Sequence, residues 1–91
     1  MDIREAHLKK LKKQWQSLSL TSSDYHERSL IVDHIHHNHS SATWMIAASL
    51  QKPTAKVRRV LRAMQADGII ALSEQYTTAG NLVWTLAEPT P

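Results

Sequence analysis

The chain of 91 residues has no cysteine and no phenylalanine, only two glycines and only three prolines. Without cysteine there is no disulfide framework, no thiol nucleophile and no Cys-based zinc site, so so small a domain must be held by packing or by a partner chain. Long apolar runs are missing as well. The first twenty residues carry Lys9, Lys10, Lys12 and Lys13, a pattern that suits neither a secretory signal nor a membrane span, and a cytoplasmic location is expected. Ser, His and Asp are present, but no spacing gives a nucleophile elbow, a phosphate loop or paired carboxylates. The length leaves little room for a walled pocket. No enzyme and no cofactor are expected.

What is present suffices for one folded domain. The apolar fraction is 42%, with three tryptophans, too high for a disordered chain. The formal charge, 11 basic residues against 8 acidic and a net +3, is weak by itself as a sign of an anionic partner. Its distribution is more informative. Ten of the eleven basic residues fall between Arg4 and Lys13 or between Lys52 and Arg62, with Arg28 alone elsewhere. The second block, Lys52, Lys56, Arg58, Arg59 and Arg62, contains no acid.

The periodicity predicts four helices and then two strands. Residues 3 to 18 place Leu8, Leu11, Trp15 and Leu18 on one stripe at spacings of three and four. Thr21 with Asp24 resembles a capping box, stapled by Leu20 and Tyr25, and opens a second helix over residues 22 to 37 that ends where Asn38 can turn left-handed. Ser41 is expected to cap a short third helix, Ala42 to Leu50, with Met45, Ile46 and Leu50 on one face. Pro53 suits the first position of a fourth helix over 53 to 67, and Gly68 the position just past its end. Its inner face is Val57, Val60, Leu61 and Met64. The period then becomes that of strands, at Ile69 to Leu72 and at Leu82, Trp84 and Leu86, joined by a polar segment that should form a hairpin with a flexible tip.

A pair of short helices with a tight break between them, the second basic, followed at once by glycine and a hairpin, resembles the winged helix-turn-helix superfamily from Thr43 to Leu86. The matching residues are Ile46-Ala47 and Leu50, then Val57, Leu61 and Met64, then Asp67-Gly68-Ile69-Ile70. The cadence Arg59-Val60-Leu61 with a late Trp is shared with Zα-type winged helices, but Arg58 and Arg62 stand where that subgroup has Asn and Tyr, and its wing prolines are missing. The resemblance implies a mostly helical α+β fold: a three-helix core plus a C-terminal β-hairpin wing in residues 20 to 87, with residues 1 to 19 an added amphipathic helix and 88 to 91 a frayed tail. It further implies sequence-specific binding of double-stranded DNA by a small transcriptional regulator, nucleoid-associated when bound.

On a wheel of about 100 degrees per residue, Ala55, Arg58, Arg59, Arg62 and Ala66 lie opposite Val57. The alanines let the backbone approach a groove floor, while arginines reach guanine edges or phosphates. The expected contact residues are Lys52, Thr54, Ala55, Lys56, Arg58, Arg59 and Arg62, with Thr77, Thr78 and Asn81 in the wing. The wing tip lacks a cation, which suits the rival reading of a protein-interaction module whose basic helix meets an acidic partner surface. The stripe Leu8, Leu11, Trp15 and Leu18 can pack on the domain or make a homodimer. Four histidines, His34, His36, His37 and His39, could approach a metal, but their position near a helix end suits the helix dipole and no metal site is expected. The tryptophans are expected to fill core or interface. That role is expected ahead of stacking on nucleic acid, because none is surrounded by Arg or Lys in the way a single-strand platform would be.

Overall fold

Asp2 begins the first helix, its Oδ1 accepting the amide of Glu5 at 2.8 Å. Helix α1 (Ile3–Gln16) stops two residues short of the expected end, because Leu18 turns to positive φ. Helix α2 (Ser22–Asn38) starts as its sequence predicts, with Thr21 Oγ1 accepting from the Asp24 amide at 3.1 Å and with Leu20 and Tyr25 packed on the core. At its far end the positive φ falls on His39, and Asn38 stays helical as the last residue, its side-chain amide donating to the His34 carbonyl. The computed structural model describes residues 2–88, so most of the tail expected to fray, beyond Glu88, lies outside the described residues.

Ser41 does not cap a helix. Ser41 and Ala42 form a short strand, β1 (Ser41–Ala42), and Ala42 takes the N-cap position of α3 (Thr43–Leu50) without a side-chain bond. Gln51 ends α3 in the left-handed conformation, where its amide bonds back to the helix. Helix α4 (Thr54–Ala66) begins one residue later than expected, with Pro53 as N-cap, and Gly68 past its end adopts φ 76°. That left-handed turn favours glycine and sends the chain directly into β2 (Ile70–Leu72).

The last strand, β3 (Val83–Leu86), is central. It pairs antiparallel with β2, Leu72 opposite Trp84, and on its other side with β1, Ser41 opposite Trp84. Helix α1 packs on α2, α3 on α4, and the sheet on α2. Between them lies one cluster containing Leu11, Ile31, Val32, Ile35, Ile46, Val57, Leu61, Met64, Ile69 and Trp84. His7 is buried too, and its Nε2–H donates to the Ala87 carbonyl at 2.7 Å, fastening α1 to the chain just past β3. The described residues form a small α+β fold of four helices and a three-stranded antiparallel sheet, mostly helical. Among the described residues no helix is long and apolar enough to cross a membrane.

Candidate nucleic-acid interface

Val57, Leu61 and Met64 are fully buried, and these three fix which side of α4 faces inward. Val60 is half-buried at the edge of that face. The opposite side therefore presents Ala55, Lys56, Arg58, Arg59 and Arg62, all exposed, with Thr54 half-buried in the first turn. Among the described residues, Lys56, Arg58, Arg59 and Arg62 have no acidic partner. Lys52 differs. Its Nζ lies 2.7 Å from Glu27 Oε2, so the acid missing from residues 52 to 62 is supplied by α2.

Arg62 makes two contacts within the chain. Its guanidinium lies 5.8 Å from the centroid of the Trp84 ring, and Nη1 donates to Gln65 Oε1 at 3.2 Å. Beside it a cleft of about 370 Å³ opens between three walls: Thr54, Arg58 and Arg62 from α4, Thr43 and Trp44 from the start of α3, and Ala79 to Leu82 from the hairpin. Trp44 is 61% exposed. Trp44 thus shares a cleft with Arg58 and Arg62, a juxtaposition that residue spacing does not reveal. Met45, expected on one face with Ile46 and Leu50, is exposed while Ile46 is buried, and Thr43 is buried as well.

The hairpin tip contributes less than expected. Thr77 is turned inward: its hydroxyl donates to the Val83 carbonyl and accepts the Val83 amide, both at 3.1 Å, so it is not available to a phosphate. Thr78 and Asn81 are exposed and bridge each other through their backbones, and Asn81 lines the cleft.

The first basic block faces elsewhere. Lys10 Nζ donates to the Asp67 carbonyl at the end of α4, and Arg28 Nη1 lies 3.2 Å from Asp67 Oδ2, so two cations sit where the helix dipole is negative. Arg4 Nε is 2.6 Å from Asp33 Oδ1. Nor is the leucine stripe a free dimer seam. Leu11 is fully buried in its own chain, Leu8 packs on the same core, and Trp15 stacks on Tyr25 with ring centroids 4.7 Å apart. Leu18, past the helix end, is left 90% exposed.

His34 Nε2 shares a hydrogen bond of 2.9 Å with Ser41 Oγ, and burial holds its pKa below the usual imidazole range. The His36 and His37 rings meet edge to face, 6.3 Å apart. Among the described residues no three His, Asp or Glu side chains come together as a metal site. Comparison of the chain with protein-family models, with curated proteins and with solved structures returned no match.

Proposed function

We propose that this chain is a winged helix-turn-helix protein that binds double-stranded DNA and acts as a small transcriptional regulator. In this reading α2, α3 and α4 are the three-helix core, β2 and β3 the wing, and α4 the helix that enters the major groove. The observation that carries it is the outer face of α4, where Lys56, Arg58, Arg59 and Arg62 are exposed without an acid beside them. A face kept basic only for solubility would not need arginines, whose planar forks match phosphates and guanine edges. Small Ala55 between them allows the close approach that a groove requires. Such a protein works in the cytoplasm, on the nucleoid. Where two half-sites are read, the second chain has to dock on a surface that excludes buried Leu11.

The test is a gel-shift titration of the Arg58→Ala/Arg59→Ala double variant, chosen because Arg62 also covers Trp84. Circular dichroism should be unchanged while duplex affinity falls, and each lost phosphate contact should lower the salt slope by about 0.9. Unaltered affinity would overturn the assignment. One observation favours a second reading, a module that binds an acidic protein surface: Trp44 and Met45 stand exposed near the basic helix, beside a hairpin tip without cations. Tight capture of one protein that persists at high salt, with no binding to random duplex, would select that reading.

A further inference from the structure

The cleft between α3, α4 and the hairpin has a composition that a groove-reading helix alone does not require. It is lined by an exposed indole, Trp44, by two arginines one helical turn apart on α4, Arg58 and Arg62, and by two small polar side chains, Thr54 and Asn81; no acid lines it. We infer that this cleft holds a single unpaired nucleotide, its base stacked on Trp44 and its phosphate between Arg58 and Arg62. The inference rests on the DNA-binding reading above and specifies which part of a nucleic acid the site prefers.

A base inside an intact duplex has both faces covered by its neighbours and offers only its edges, so an indole can stack only on a base that has lost a neighbour, as at a bulge, a gap or a single-stranded end. An aromatic ring with cations alongside is the arrangement that holds such bases, because every base has a π-face and every nucleotide a phosphate. The volume, about 370 Å³, is near the lower limit of small-molecule pockets and suits one nucleotide rather than a run. Arg62 is held in advance by Trp84 and Gln65, so little side-chain freedom is lost when it meets the phosphate. Thr54 and Asn81 can then donate to or accept from the edge of the base.

The full chain is titrated, by fluorescence anisotropy, into a labelled duplex and into the same duplex with one extra unpaired adenosine. Tryptophan emission is followed in parallel with unlabelled DNA. The bulged duplex should bind about five-fold or more tighter and quench the emission, as expected for one stacked base. In Trp44→Ala the ratio of the two affinities should fall to about one, and in Trp44→Phe part of the preference should return. Trp44 lies outside the core, so circular dichroism should confirm that both variants fold. Equal affinity for the two duplexes, or a preference that survives Trp44→Ala, overturns the inference. If matched-duplex binding still depends on Arg58 and Arg59, only the unpaired-nucleotide site is lost. If neither duplex responds to those arginines, the DNA-binding reading falls and the inference with it.

Discussion

The indole Nε1–H of Trp84 donates to Thr43 Oγ1 at 2.8 Å inside the core, and the same hydroxyl donates in turn to the Leu82 carbonyl at 3.3 Å. The Thr43 amide also bonds to that carbonyl, at 3.0 Å. One residue thus fastens the start of α3 to the central strand, and the next residue along is Trp44. The position of the exposed indole therefore follows from a buried one.

Removing that hydroxyl should be costly. Thr43→Val keeps the shape of the side chain but leaves the Trp84 N–H buried without a partner, a loss of about 1–3 kcal/mol. Thr43→Ser, which restores the acceptor, should recover most of it. Urea unfolding measures both, and a Val variant with an unchanged midpoint would show that the bond contributes nothing.

Two leucines of the first-helix stripe should behave in opposite ways. Leu11→Ala opens a cavity in the core and should cost about 2–5 kcal/mol, whereas Leu18→Ser, at a site 90% exposed, should change stability by no more than about 0.5 kcal/mol. If the stripe were a dimer seam, Leu18→Ser would instead shift the sedimentation coefficient. Equal and small effects of the two substitutions would contradict the burial of Leu11.

Lys52 is held by Glu27, whose side chain is only 13% exposed. Neutralising the acid in Glu27→Gln should release the ammonium toward DNA, raise duplex affinity at low salt and steepen the salt slope by up to about 0.9. An unchanged slope would place Lys52 out of reach of the phosphates.

His34 sets a dependence on pH. Its pKa is lowered in the folded state by burial, so on acidification the unfolded chain takes up the proton first. The His34 contribution is fully present above the unfolded imidazole pKa and is lost as pH falls through the lower folded value. Thermal unfolding followed between about pH 7 and pH 5 should show a falling midpoint, less steep in His34→Gln. Asp33 and His37 line the same groove beside α3 and are the same in both proteins, so the difference between the two slopes isolates His34. Parallel slopes would remove this role.

Local signals in the sequence located all four helices. Thr21, Pro53 and Gly68 act through their own backbones or those of near neighbours, and the stripe Val57, Leu61 and Met64 depends only on helical spacing. What the sequence concealed is contact across the fold. Ser41-Ala42 is too short to show alternation, and Ser41 has the side chain of a helix cap, so β1 becomes visible only when β3 lies beside it. Glu27 lies 25 residues from Lys52 in sequence, outside any window that makes residues 52 to 62 look free of acid. The candidate site followed the same rule: the basic face of α4 was legible from spacing alone, whereas Trp44 joins it only through the packing of α3 on α4. Thr77 looked like a free hydroxyl because the hairpin loop that turns it onto Val83 has no periodicity.

The order of the sheet bears on how the chain meets other copies of itself. Its longest strand, Val83–Leu86, is enclosed on both sides, and the edges are strands of two and three residues. Short edge strands offer little to template a further strand, so edge-to-edge growth is expected to be disfavoured without the charged or proline gatekeepers that longer edges need. Resistance to self-association through the sheet is thus expected from the order of its strands rather than from surface charge.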